Sequence, residues 1–253
     1  DQWDATAPQI LGIFPAVARQ IHRGDVQPSD LVVTRNVHVP SLFDAKLSFD
    51  DTVAQGYDDK ELDSKQVSAR SLAVARSVVA FTDRYTETPV FDLRPYQRQG
   101  PLASANGQLH WFEESGTAGG FFTMDTPGTK AVVGFAAGRT CKLGEVTIEP
   151  QSRFGAIYVT AREPDQTIAS SPQLLIVALA RARNTGMRFS PDGKRLLAPG
   201  QPPILMEPVK ATIAISRPRP ARVIALDQDG VPTKQTLPVA DGRFVIDGAK
   251  DKT

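Results

Sequence analysis

The chain has 253 residues, with 29 basic and 28 acidic side chains and a formal net charge of +1. Its apolar content of 41% supports a real core and excludes a disordered chain. The balanced charge gives no reason to expect nucleic acid or a membrane surface as a partner.

Residues 7–24 read as a helix. Ile10, Phe14, Val17 and Ile21 recur at helical spacing and form one apolar stripe. Pro8 suits a first helical position and Gly24 a position just past the end. Pro15 lies inside and should kink or divide the helix. The stripe needs a partner surface, either the rest of the chain or something outside it. Residues 31–39 read as a strand ended by Pro40. Residues 44–66 read as an exposed connection with at most a short helix. Residues 67–81 are ambiguous, with strand and helix equally weighted at Ser77–Phe81.

From about residue 88 strands are expected every 8–15 residues. They fall at Val90–Leu93, Gln108–Phe112, Gly120–Asp125, Thr129–Phe135, Glu145–Ile148, Ala156–Ala161, Leu174–Ala180, Ile204–Glu207, Val209–Ser216, Arg222–Leu226, Thr236–Val239 and Arg243–Asp247. Turn pairs Asp192-Gly193, Asp229-Gly230 and Asp241-Gly242 punctuate them. Phe122 and Met124 share one face of their strand, so Phe121 is expected to point outward. Leu174–Ala180 is continuously apolar and is expected to be buried on both faces. Repeated helical patterns between strands are missing, which argues against a βαβ fold. The reading is mainly β: an antiparallel β-sandwich with an N-terminal helix and a small C-terminal β-unit. The expected partition is a terminal helix at 1–27, a linker strand and connection at 28–87, the sandwich at 88–200 and the small unit at 201–253.

The chemistry-bearing residues are sparse. Glu113 and Glu114 are adjacent, and two carboxylates flanking one glycosidic bond need about 5–9 Å between them. Adjacent residues of a strand point to opposite faces, so this pair reads as a solvated hairpin. Glu149, Glu163 and Glu207 lie at strand ends with nothing in sequence to pair them. His22, His38 and His110 are not at ligand spacing, so no metal or cofactor is expected. Gly116–Gly120 is a glycine-rich loop between strands, not a phosphate cradle before a helix. Asp227-Gln228-Asp229-Gly230 starts like a calcium loop but lacks the later acidic ligand, and reads as a β-turn. Trp111, Phe112 and Phe121 are the weak candidates for stacking on a sugar, with Phe122, Tyr96 and Tyr158 as further aromatics. Cys141 is the single cysteine and rules out an internal disulfide. No apolar run reaches the roughly 18 residues of a membrane span. No signal peptide is recognised and the chain opens at Asp1 without Met, which fits a processed protein or a fragment.

Several segments, in order, resemble a known family. They are Ser-Ala-Asn-Gly-Gln-Leu-His-Trp at 104–111 and Phe-Thr-Met-Asp-Thr-Pro-Gly-Thr-Lys-Ala-Val-Val-Gly-Phe at 122–135. Then come Leu-Leu-Ile-Val-Ala-Leu-Ala-Arg-Ala-Arg-Asn-Thr-Gly at 174–186, Pro-Ile-Leu-Met-Glu-Pro-Val at 203–209 and Ala-Leu-Asp-Gln-Asp-Gly at 225–230. Together they resemble the β-rich C-terminal region of bacterial glycoside hydrolases with a TIM-barrel catalytic domain, of the β-galactosidase and cellulase-like clan. Ile-Phe-Pro-Ala-Val-Ala-Arg-Gln-Ile-His-Arg-Gly-Asp-Val at 13–26 resembles the last barrel helix and its exit. In such enzymes the catalytic glutamates sit at the ends of barrel strands, and no position here matches one. The resemblance therefore implies a non-catalytic accessory region that buttresses the barrel. Its partners would be that barrel and, secondarily, carbohydrate, in a secreted or periplasmic setting with the cytoplasm as the alternative. A free-standing carbohydrate-binding module is the alternative function.

Overall fold

A computed structural model describes residues 8–44, 67–97, 100–113, 119–191, 193, 195–217 and 222–250. The chain is mainly β, 43% strand against 13% helix, with antiparallel sheets, a sandwich-like arrangement and an N-terminal helix. It divides into two compact units, one of Asp1–Val26 with Glu113–Thr253, the other of Gln27–Phe112.

The N-terminal helix is divided, as Pro15 requires. Helix α1 spans Pro8–Leu11 and α2 spans Phe14–Arg23. Pro15 falls in the first turn of α2, where its missing N–H has no helical partner to lose. Gly24 takes the left-handed conformation (φ 62°) and closes α2. Its N–H donates to the Ile21 carbonyl, and that of Asp25 to the Gln20 carbonyl.

In the smaller unit, β1 (Val32–His38) pairs in parallel with β2 (Arg76–Thr82), from Val32 opposite Arg76 to His38 opposite Thr82. Helix α3 (Val39–Phe43) follows β1 directly, with Pro40 in its first turn. The ambiguous Ser77–Phe81 stretch is thus strand. A continuous apolar run is what a parallel strand covered on both faces carries. Yet Val78, Val79 and Phe81 are exposed. The strand expected at Val90–Leu93 is absent: that segment is irregular and leads into a 3-10 turn at Arg94–Tyr96. Pro89 and Pro95 flank it and remove two ladder donors. Strands β3 (Leu102–Ala103) and β4 (Leu109–Phe112) form a hairpin. Its turn is built by side chains. Ser104 Oγ donates to Asn106 Oδ1 (2.8 Å) and accepts from the Leu109 N–H, while Asn106 Oδ1 also accepts from the Gln108 N–H. The expected connection at 44–66 lies, from residue 45 on, outside the described residues.

In the larger unit the strands are β5 (Phe121–Asp125), β6 (Thr129–Gly134), β7 (Cys141–Leu143), β8 (Val146–Pro150), β9 (Gly155–Ala161) and β10 (Leu174–Leu179). They continue as β11 (Ala182–Thr185), β12 (Arg188–Phe189), β13 (Leu196–Ala198), β14 (Gln201–Met206), β15 (Lys210–Ile215), β16 (Val223–Leu226), β17 (Pro232–Leu237) and β18 (Arg243–Asp247). One sheet runs in the order β10-β9-β6-β5 and a second in the order β18-β15-β8-β7. Val146, Ile148, Ala211, Ile213 and Phe244 fill the buried face of the second. Because β15 and β18 complete that sheet, residues 201–253 do not stand apart as expected. Among the described residues of this stretch, only β16 and β17 pair with each other alone, while β14 pairs with β11. The Asp241-Gly242 turn has positive φ at both residues (51° and 73°), and Ala240 and Arg243 exchange both backbone bonds.

The doubly buried strand is β9, all seven residues of it, not Leu174–Ala180. Strand β10 is half-buried along its length because it ends the sheet order. Helix α2 lies against β9 and β10. It does so with its small and polar side. Ala16 is fully buried, whereas Leu11, Phe14 and Ile21 are 49, 46 and 70% exposed. Of the expected stripe, Phe14 and Ile21 are thus exposed while Ile10 and Val17 are half-buried, so the stripe is left partly uncovered.

Candidate functional site

The sequence-named aromatics fall on different units. Trp111 is 37% exposed and Phe112 half-buried; as neighbours on β4 they point to opposite faces. Phe121, on β5 of the larger unit, is 6% exposed, so its ring cannot stack on a sugar. Met124 is buried as expected, but Phe121 is buried too, opposite Gly134 (φ 123°), whose missing side chain leaves the space that Phe121 takes. Phe122 is half-buried instead. Tyr158 is buried too, which pushes its phenol pKa up. Tyr96 stacks on Phe91 at 5.9 Å.

The carboxylates that sequence places at strand ends are dispersed, and each of them is bonded to a neighbour. Glu113 is exposed, and Glu114 lies outside the described residues. Glu149 pairs with Arg243, and Glu207 with Arg181 and Arg183. The hydrogen bond from Ser171 Oγ holds Glu163 below the usual carboxylate pKa. His38 is spent locally, its Nδ1 on Ser41 Oγ (2.6 Å) and its Nε2 on the Asp83 carbonyl (3.2 Å). His22 lies in the last turn of α2 and His110 opposite Ala103 in the β3–β4 hairpin. Among the described residues no three His, Cys, Asp or Glu side chains gather to hold a metal. Asp227 Oδ1 accepts from the Asp229 and Val231 N–H groups, so this segment is the expected turn.

A depression of about 340 Å³ is lined by Asp125, Thr126, Pro127, Lys130, Glu145 and Thr167. The Lys130 side chain is 5% exposed and pairs with both Asp125 and Glu145 (3.6 Å). A buried lysine held between two carboxylates suits a structural clamp.

Two charged clusters stand out, and sequence reasoning named neither. The first joins the helix exit to the β5–β6 turn. Arg23 Nε bonds the Asp25 carboxylate (3.1 Å), and both its Nη groups donate to backbone carbonyls, of Glu163 and Gln166. Asp25 Oδ2 accepts from Thr129 Oγ1 (2.7 Å), which also lies 3.0 Å from Thr160 Oγ1. Thr126 Oγ1 closes the turn by donating to the Thr129 carbonyl (2.9 Å) and accepting from the Thr129 N–H (3.0 Å). A Cβ on Gly128 would overlap the Asp25 carboxylate.

The second cluster sits on β11 and its neighbours. Arg181 Nε and Arg183 Nε meet the two oxygens of Glu207 at 2.9 and 3.3 Å. The Arg181 guanidinium lies 5.9 Å from the Phe135 ring centre and 5.8 Å from that of Phe154, and Arg183 lies 4.8 Å from that of Phe189. Arg153 reaches Phe135 as well, at 5.9 Å. The one sequence signal that could have pointed here is the Arg181-Ala182-Arg183 alternation, which puts both guanidiniums on one side of an extended chain.

No protein-family profile, curated protein or solved structure matches the chain.

Proposed function

We propose that the chain is a non-catalytic accessory β-sandwich region of a glycoside hydrolase acting on poly- or oligosaccharides, and that it buttresses a TIM-barrel catalytic domain. The observation that carries this reading is the orientation of α2. A helix that belonged only to this sandwich would bury its apolar stripe on the sheet. Here Ala16 and Arg23 are packed inward, Ile10 and Val17 are half-buried, and Phe14 and Ile21 of the stripe, with neighbouring Leu11, are left exposed. Such a helix serves two surfaces at once, as the resemblance of residues 13–26 to the last barrel helix implies. The dispersed strand-end carboxylates, each bonded to a neighbour, agree with chemistry that lies in another domain. The exposed Val78, Val79 and Phe81 of the smaller unit offer a further apolar surface of the same kind.

The test is to read the coding sequence upstream of Asp1 and to express the protein both as this chain and in its longer form. An upstream barrel with two catalytic glutamates is expected. Changing Leu11, Phe14 and Ile21 together to Gln should leave the melting of this chain unchanged and lower that of the longer protein. No upstream barrel, robust aryl-glycoside turnover by this chain alone, or collapse of this chain on the triple change would overturn the reading.

A further inference from the structure

The Arg181–Arg183–Glu207 cluster has the construction of a binding platform. An arginine with a purely structural task spends its donors, and Arg23 shows what that looks like: its side chain is 6% exposed and all three nitrogens are bonded. Arg181 and Arg183 differ on both counts. Their side chains are 30 and 33% exposed, and among the described residues the contact each makes with Glu207 is through Nε. A guanidinium held at Nε keeps its two Nη groups as an end-on fork, the geometry that pairs with a carboxylate or a sulfate through two parallel hydrogen bonds. The Phe135 and Phe154 rings lie within cation–π range of the Arg181 guanidinium, and the Phe189 ring lies within range of that of Arg183. With Arg153 the cluster sets three guanidiniums against one carboxylate, so the charge left over is positive. Phe189 is 38% exposed and offers apolar ring surface beside the Arg183 fork.

We propose that this platform binds a saccharide that carries an anionic substituent, a carboxylate or a sulfate ester, with the Arg181 and Arg183 forks on the anion and Phe189 against the sugar ring. The anion half of the assignment rests on the arginines alone. The saccharide half rests on the glycoside-hydrolase reading above. Uronates and sulfated sugars present the same chemistry to an arginine fork, and separate probes distinguish them.

The experiment is calorimetric titration of the whole chain with a galacturonate tetrasaccharide, a sulfated galactan tetrasaccharide, a neutral galactan tetrasaccharide and an oligothymidylate, at low and at moderate salt. At least one acidic saccharide is expected to bind, more weakly at the higher salt, with the neutral one about tenfold weaker or worse. Arg181→Gln and Arg183→Gln should each weaken that binding by about tenfold with the melting temperature unchanged. Arg183→Lys keeps the charge but not the fork and should fall between. Equal binding of the neutral saccharide, binding of the oligothymidylate as tight as that of the acidic saccharides, silence with both acidic probes, or indifference to folded Arg181→Gln and Arg183→Gln variants would overturn the proposal. An upstream barrel together with silent acidic probes sinks this inference alone. Acidic saccharide binding with no upstream barrel sinks the accessory-region reading and leaves this one standing.

Discussion

The larger unit holds two arginine–carboxylate clusters that share residue types and differ in everything that decides their use. At the helix exit, Arg23 and Asp25 are both 6% exposed, and every nitrogen of the guanidinium has a partner. At β11, two guanidiniums share Glu207, a third or so of each side chain is exposed, and the contact each makes with Glu207 is through Nε. The first cluster is closed and serves the fold, since it ties α2 to the β5–β6 turn. The second is open and flanked by aromatic rings. Burial and the number of donors already spent separate a latch from a platform; residue type does not. Charge pairs of the first kind are costly to break because the surviving partner stays buried, while those of the second kind are screened and weak.

The largest effect should therefore follow from opening the latch. Asp25→Ala leaves the Arg23 guanidinium buried beside no carboxylate and deprives Thr129 Oγ1 of an acceptor. A loss of about 3–5 kcal/mol in urea unfolding is expected. A loss below 1 kcal/mol would show that the cluster is not closed in the sense argued. Next in size is Gly128→Ala, whose added methyl meets the Asp25 carboxylate and should cost about 1–3 kcal/mol. The two changes share one contact and should not add. In an Asp25→Ala background Gly128→Ala should cost clearly less, and full additivity in a double-mutant cycle would argue against that contact.

This latch also explains why some motifs were legible before any coordinates. Thr126-Pro127-Gly128-Thr129 and Arg23-Gly24-Asp25 stood out only as parts of a resemblance. They turn out to be two halves of one seat, with Gly128 small because Asp25 occupies its space. Ser104-Ala105-Asn106-Gly107-Gln108 likewise stands out because its side chains build a hairpin turn. Local signals of this kind read well: Pro15 dividing the helix, Gly24 ending it, Asp241-Gly242 turning β-chain back on itself. What could not be read were long-range choices. Periodicity shows that α2 has an apolar stripe but not which side meets the sheet, and polar bonds from Arg23 across 140 residues decide that. Alternation in β5 gives two faces but not the burial of Phe121, which depends on Gly134 in the next strand. The Arg181–Glu207 pairing needs the β11–β14 register, with Ala182 opposite Met206, which no short window contains.

The open cluster should respond weakly where the latch responds strongly. Glu207→Gln keeps the shape and hydrogen-bonding reach of the side chain and removes one exposed charge. It is expected to cost no more than about 1 kcal/mol, with the loss shrinking as salt is added. A loss as large as that of Asp25→Ala would place Glu207 in the fold's own machinery and take the platform with it.

The smallest expected effect concerns acid. Glu163, whose backbone carbonyl receives Arg23, has its side chain outside the latch and bonded to Ser171 Oγ. That bond favours the ionised carboxylate, so the group's folded pKa lies below its unfolded value. A carboxylate depressed in this way stabilises the fold above its unfolded pKa and stops doing so as pH falls through the folded one. Glu163→Gln should therefore melt slightly below the parent chain at pH 7. The two melting curves should draw together as pH falls from the unfolded pKa of about 4.3 through the lower folded one, where the parent side chain becomes protonated as well. A gap that persists or widens in acid would mean that Glu163 acts through its shape and backbone, as a member of the closed cluster, and not through its charge.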